Sequence, residues 1–336
     1  MLDFLYGNKK IKNILSGFSG RRRFPNSLII SGPAGSGKKT VARHIAMTLG
    51  CEMQGTEPCG VCSSCRKISE DGSPDVVNFG LENGKKTITV DDIRGLRSDA
   101  FIAPNDLNCK VYIIRDADKM LASAQNCLLK IFEEPPESVY FLLLCESSSP
   151  LLPTVRSRAP ELRTEVFSDQ ELKKLIVSEN KTAAEMESAN PKKFMSLIRR
   201  SGGCIGRIRA LLSGEDESDF TSEAEELTKM LCQDAFADFM VKMQEYCVSR
   251  ESASSVISGM MTALRDIISC KRNRDGAELM FYADRSDAAS VGGTVSLRTA
   301  LNFFDRLSVC LDELENANVN VGSSVTALCA GLKKLK

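Results

Sequence analysis

Between the apolar run Leu28 to Ser31 and an amphipathic segment from Thr40 to Leu49 lies GPAGSGKK, residues 32–39. A glycine-rich turn joining a buried strand to a helix constrains its surroundings strongly. The strand must lie inside a sheet, and the helix must cover one face of it. In this loop Gly32, Gly35 and Gly37 allow the tight path, successive N–H groups form an anion cradle, and Lys38 supplies charge for the outer phosphates. Magnesium chemistry at such a loop needs a Ser or Thr directly after the lysine and an acid at the end of a second strand. Here those places hold Lys39 and Arg115. Thr40 comes one residue late, and Asp116 falls one step past Arg115, where a strand side chain points the other way. The loop thus reads as a nucleotide-binding fold kept as architecture, with its own hydrolysis lost. The residues leave open whether ATP or ADP still occupies it, and Mg²⁺ is not expected there.

Two further apolar runs, Val111 to Ile114 and Val139 to Cys145, flank a helical segment around Ser123 to Glu134 that stops at Pro135 and Pro136. Short apolar strands alternating with helices predict an α/β domain with a parallel, doubly wound sheet covered on both faces. After Arg158 the strand-like runs cease. Residues 167 to 212 read as short helices broken at Asn190-Pro191 and Ser201-Gly202-Gly203. The acidic, Ser-rich stretch 213–223 reads as a linker, with Thr221 or Ser222 as helix cap. Beyond it lie amphipathic helices: Leu227, Met230, Leu231, Phe236, Phe239 and Met240 share one face, and Leu301, Phe304, Leu307, Leu311 and Leu314 another.

Lys plus Arg equals Asp plus Glu at 44 each, so no global field draws the 336-residue chain to nucleic acid. The chain has no Trp, which argues against a base-stacking surface. No leader-like N-terminus and no run of 18 apolar residues is present, which predicts a cytoplasmic protein with no membrane contact. The one histidine, His44, reads as an ordinary residue of the helix after the loop rather than a base.

Of thirteen cysteines, nine are scattered in apolar runs and pack as small hydrophobes. The other four, Cys51, Cys59, Cys62 and Cys65, have the spacing C-x7-C-x2-C-x2-C, which suits one tetrahedral Zn²⁺. Ser69 stands where an iron–sulfur run would continue with cysteine. Four sulfur ligands leave no open position, so the expected metal is structural. A DNA-binding zinc module is a rival reading, but the knuckle sets Arg66 and Lys67 against Glu52, Glu57 and Glu70.

Taken together, the loop with its four-cysteine insertion, KVYIIRDADKM at 110–120, NCLLKIFEEPP at 126–136 and TVRSRA at 154–159 resemble the clamp-loader branch of AAA+ proteins. Within it they are similar to the delta-prime family of bacterial DNA polymerase III. SGGCIGRIRALL at 201–212 resembles the end of that family's lid, and NANVN at 316–320 the signature near the end of its collar. The resemblance implies an AAA+ domain over 1–163 with a zinc insertion at 51–65, a helical lid over 164–213 and an all-α collar over 222–336. It also implies gamma/tau ATPase subunits and a delta subunit as partners, with a sliding clamp and primed DNA engaged through the complex. Ser157, Arg158 and Ala159 match the family's Ser-Arg-Cys motif with cysteine replaced. That match casts Arg158 as an arginine finger acting in trans on a neighbour's ATP. Read without the resemblance, Arg158 is an ordinary surface arginine. The family's lid arginine aligns with Gly206, next to Arg207. The alternative implied function is an active gamma/tau-like ATPase using Thr40 and Asp116.

Overall fold

A computed structural model of the chain describes residues 8–20, 24–55, 57–81, 85–213, 220–233, 235–272, 279–282, 284–316 and 319–335. The chain divides into two compact units, Met1–Phe167 and Ser168–Lys336.

The first unit runs α1 (Lys9–Gly20), β1 (Ser27–Ser31), α2 (Lys38–Gly50), α3 (Ser63–Ser69), β2 (Val76–Phe79), α4 (Val90–Ala100), β3 (Lys110–Ile114), α5 (Ala122–Glu133), β4 (Val139–Cys145), α6 (Pro153–Arg156) and β5 (Glu161–Arg163). All strand pairs are parallel, in the order β2-β3-β4-β1-β5. Side chains alternate between faces along a strand, and two apolar clusters follow that parity. Leu28, Ile30, Val111, Ile113, Leu142 and Leu144 meet Val41, Ile45 and Ile68 from α2 and α3. Ile29, Tyr112, Ile114, Phe141 and Leu143 meet Ile93, Leu128 and Ile131 from α4 and α5. Tyr112 stacks on Phe141 with centroids 5.2 Å apart. The continuous apolar strands expected from the sequence are thus explained by a sheet buried on both faces.

Buried polar groups pin the connections. Gln125 of α5 donates to the carbonyls of Met120 (3.1 Å) and Pro150 (3.3 Å), and its carbonyl accepts from the Leu152 amide at 2.7 Å. Asp75, fully buried before β2, accepts from the amides of Asn105, Asp106 and Leu107 at 2.7–2.8 Å. Burial pushes the Asp75 carboxyl up, but these amides and the Asn105 side chain prevail and hold it below its ordinary 3.8. A carboxyl depressed on folding contributes stability that is full above the unfolded-state pKa and is lost as pH falls through the folded value. We therefore expect stability to decline below about pH 4. Asp75→Asn should cost roughly 3 kcal/mol at neutral pH and flatten that acid limb. Denaturant melts of both proteins between about pH 3 and 7 check this, and parallel profiles would rule it out.

The second unit is helical: α7 (Asp169–Glu179), α8 (Lys181–Ala189), α9 (Pro191–Arg200), α10 (Ile205–Ser213), α11 (Thr221–Cys232), α12 (Phe236–Tyr246), α13 (Arg250–Lys271), α14 (Arg285–Gly292), α15 (Leu297–Asn316) and α16 (Val321–Lys333). Asn190 caps α9 by accepting from the Lys193 amide, with Pro191 at the first helical position, so the Asn-Pro break is a helix start. Helices α7 to α10 pack on one another. A separate apolar cluster extends from Ala224 to Leu332 around α13 and includes no residue of α7 to α10. Leu227, Leu231, Phe239, Leu307 and Leu314 lie in it as expected, while Met230, Phe236, Met240, Leu301, Phe304 and Leu311 flank it partly buried.

The capping expectation at 221–222 is corrected. Helix α11 begins at Thr221 after Phe220 with no side-chain cap, and Ser222 donates to its neighbour Glu223. Residues 214–219 of the expected linker, and Ala317 and Asn318 of the collar signature, lie outside the described residues. Asn320, which closes that signature, caps α16 by accepting from the Ser323 amide. Among the described residues no helix is long and apolar enough to cross a membrane.

Candidate functional site

The glycine loop follows β1, at the carboxyl end of the sheet, and opens α2. Gly37, with φ 90°, precedes that helix with no side-chain cap, so the first amides of α2 are free to face an anion. Gly35 also takes a positive φ of 75°. Gly32 has φ 149°, and a Cβ there would lie 1.9 Å from Thr164 Oγ1. Thr164 closes on the loop from just beyond β5, its hydroxyl 2.7 Å from Ser36 Oγ and 3.1 Å from the Ser31 carbonyl. Lys38 donates its ammonium to the carbonyls of Gly32 (2.6 Å) and Pro33 (2.9 Å). Gly32, Gly35, Gly37 and Lys38 are therefore together in one loop. Lys39 and Thr40 are exposed on the first turn of α2.

Arg115 lies elsewhere than its place in the sequence suggests. Its backbone N–H bonds Phe79, and its side chain spreads over Gly80, where a Cβ would come within 2.9 Å of its Nε. Gly80 extends β2, whereas the loop follows β1, three strands away beyond β3 and β4. The cation expected to displace magnesium is thus turned toward the β2 edge, and the position lacks an acid rather than presenting a charge. Asp116 occupies a left-handed turn (φ 53°) that starts a short 3-10 segment, Ala117–Lys119. Burial pushes the Cys145 thiol up to about 12, Asp118 and Glu161 add to the rise, and Lys38 opposes it. His44 is buried on α2, which holds its imidazole below the usual value.

Arg158 follows α6. Ser27, the first residue of β1, donates to the Arg158 carbonyl at 3.0 Å. Its guanidinium donates from Nη2 to Glu133 Oε1 at 2.7 Å and from Nη1 to the Thr154 carbonyl at 3.2 Å. Arg158 is therefore anchored at the start of β1, while the glycine loop leaves from its end. Four residue steps of strand separate those ends by about 13 Å. The sequence gives no sign of the Glu133 partnership, because the two residues are 25 apart.

The cysteine insertion begins as α2 ends. The four sulfurs of Cys51, Cys59, Cys62 and Cys65 lie within 4.8 Å of one another. A tetrahedron with Zn–S of about 2.3 Å has sulfur–sulfur edges of about 3.8 Å, so the set fits with a contraction of about 1 Å at most. Successive amides point at sulfurs, Cys59 to Cys51 at 3.4 Å, Cys62 to Cys59 at 3.3 Å and Cys65 to Cys62 at 3.4 Å. The amides of Val61 and Cys62 lower the Cys59 thiol to about 6, and burial raises that of Cys65. Donors aimed at sulfur favour thiolate, and these residues can hold a metal ion such as zinc.

In the second unit, Gly206 and Arg207 lie exposed on α10. An open pocket of about 500 Å³ there is lined by Glu179, Asn180, Gly206, Arg209, Ala210 and Ser213, with Arg209 paired to Glu179. Asp266, buried on α13, accepts from the amides of Met280, Phe281 and Tyr282 and ties that segment to the helix. Nothing in the sequence pattern singled it out.

A parallel sheet in this order, with a glycine-rich anion loop after its interior β1 strand, defines an AAA+ α/β domain followed by a helical region. Residues 7–168 match the family described as DNA polymerase III, delta subunit. The chain is 34% identical over 200 residues to the gamma/tau subunit of DNA polymerase III from Mycobacterium tuberculosis, covering 58% of this chain and 33% of that one. It is 33% identical over 144 residues to the delta' subunit from Pseudomonas aeruginosa, covering 43% and 44%. A gamma subunit-related protein from Thermotoga maritima aligns structurally over 98% of this chain and 99% of that one, with 16% identity and a TM-score of 0.46. The sequence matches span between a third and under a half of these curated relatives. Through its first unit the chain is similar to clamp-loader subunits of DNA polymerase III.

Proposed function

We propose that the chain is a non-hydrolysing subunit of a bacterial DNA polymerase III clamp loader. In this reading it assembles with gamma/tau ATPase subunits and a delta subunit in the cytoplasm, and offers Arg158 to the nucleotide of a neighbouring subunit. The complex then opens a sliding clamp and sets it on primed DNA. The observation that carries the reading is the placement of Arg158 and the glycine loop at opposite ends of β1, about 13 Å apart. An arginine so placed cannot reach a phosphate in its own loop and is available to one across a subunit boundary. The exposed Lys39 and Thr40, and the turning away of Arg115 with no acid in its place, support the loss of hydrolysis in cis. The loop of Gly32, Gly35, Gly37 and Lys38 keeps a phosphate cradle, the four cysteines hold structural zinc, and the AAA+ domain (1–163) is followed by a helical lid (164–213) and a collar (222–336).

A second reading, an active gamma/tau-like ATPase using Thr40 and Asp116, is favoured by the identity to gamma/tau subunits. Purified chain incubated with ATP and Mg²⁺ separates the two. We expect no turnover above the background of a Lys38→Ala control, and brisk Lys38-dependent hydrolysis would overturn the proposal in favour of the ATPase.

A further inference from the structure

Helix α5 ends at Glu133, since Pro135 and Pro136 bar another turn. A carboxylate in a last turn faces the negative end of the helix dipole, a place that favours cations. Glu133 is therefore badly placed for its own helix, and its observed partner is Arg158. The pair is 2.7 Å long with both side chains open to solvent, 38% and 50% exposed, so it adds little to folding. What it does add is direction. The same guanidinium is held on a second side by the Thr154 carbonyl, which also accepts from Ser157 Oγ at 3.1 Å. Two helix ends, of α5 and α6, thus clamp a side chain that would otherwise sample many rotamers. Of the five N–H donors of an arginine, two are engaged here, which leaves three for an anionic group.

We propose that Glu133 is a positioning residue for Arg158, fixing the guanidinium before it meets a phosphoryl group. The inference rests on the reading of Arg158 as a donor in trans. A group already oriented loses less freedom when it engages the transition state, and small misplacements of such groups cost large factors in rate.

The test is the DNA-stimulated ATPase of a clamp loader reconstituted with the full chain. Glu133→Ala should lower kcat roughly tenfold with KM for ATP unchanged. Glu133→Gln, whose amide oxygen still accepts from Nη2, should recover most of that loss. The thermal melts of both variants should match wild type, as expected for an exposed pair. A Glu133→Ala complex as fast as wild type overturns the positioning role, and so does a Glu133→Gln complex as slow as Glu133→Ala. Arg158→Ala run alongside separates the levels. If it too is silent, the reading of Arg158 itself fails, whereas a slow Arg158→Ala beside a normal Glu133→Ala defeats only the role of Glu133.

Discussion

Arg158→Ala is expected to slow ATP hydrolysis at the site beside this subunit by about 10³-fold or more, a barrier increase of about 4 kcal/mol. The size follows from where charge develops. Phosphoryl transfer spreads negative charge over the transferred oxygens, and a guanidinium supplied from outside stabilises that charge. The substitution is clean because Arg158 is exposed through its side chain, while its place in the fold depends on its backbone, held by Ser27. Arg158→Lys should be nearly as slow, because an ammonium lacks the planar fork and cannot hold the Glu133 carboxylate, the Thr154 carbonyl and a phosphate together. Single-turnover hydrolysis in the reconstituted complex is the measurement, with assembly checked by size-exclusion chromatography. Wild-type rates in an intact Arg158→Ala complex would remove the basis for a role in trans.

What the sequence made legible was local or periodic. The glycine loop, the helix after it and the strands 111–114 and 139–145 could be read because apolar runs and turn residues lie next to each other. The parity of Leu28, Ile29 and Ile30 is then enough to split the core between two faces. The cysteine cluster was legible for the same reason, four ligands within fifteen residues. Edge strands were not: β2 is half exposed and contains Asn78, and β5 is three residues long with charged ends, so neither has an apolar signature. Long-range polar pairs were also out of reach. Thr164 bonding Ser31 and Ser36, Asp75 gathering the amides of 105–107, and Glu133 holding Arg158 each join residues 25 or more apart through hydrogen bonds that no periodicity encodes.

Arg115 marks the limit of reading charge from position. By spacing it stands where a metal-orienting acid belongs, which predicts a cation in the place of magnesium. In the fold, the absence of a side chain at Gly80 opens a path along the β2 edge, and the arginine takes it. The consequence for metal chemistry is one of omission. No carboxylate is supplied by Arg115, and Thr40 faces solvent, so two magnesium-directed groups are missing from a loop whose backbone is otherwise intact.

Stripping zinc, or replacing Cys62 by serine, is expected to loosen the first unit by roughly 3 kcal/mol or more, because the knuckle is coupled to the core through α3. Cys65 and Ile68 lie one turn apart on α3. Cys65 faces the sulfur cluster, while Ile68 is buried among Leu28, Ile30, Val41 and Ile45. Gly50, at the end of α2, is bare against Ile68 and Leu107, and a Cβ there would come within 3.1 Å of Ile68 Cδ1. Metal holding Cys51 and Cys65 together therefore fixes the end of α2 against α3, and α2 begins at the glycine loop about 20 Å away. Cys62 both offers a ligand and caps α3 by accepting from the Cys65 amide, and because serine is itself a good N-cap, Cys62→Ser removes the ligand while keeping the cap. Elemental analysis should find one zinc per chain in the wild type and little in Cys62→Ser. The melt of the first unit should shift to lower temperature in both the variant and the chelated protein, and zinc should restore the latter. Chains that carry no zinc and melt identically with and without chelator would mean the cysteines stabilise the fold by packing alone.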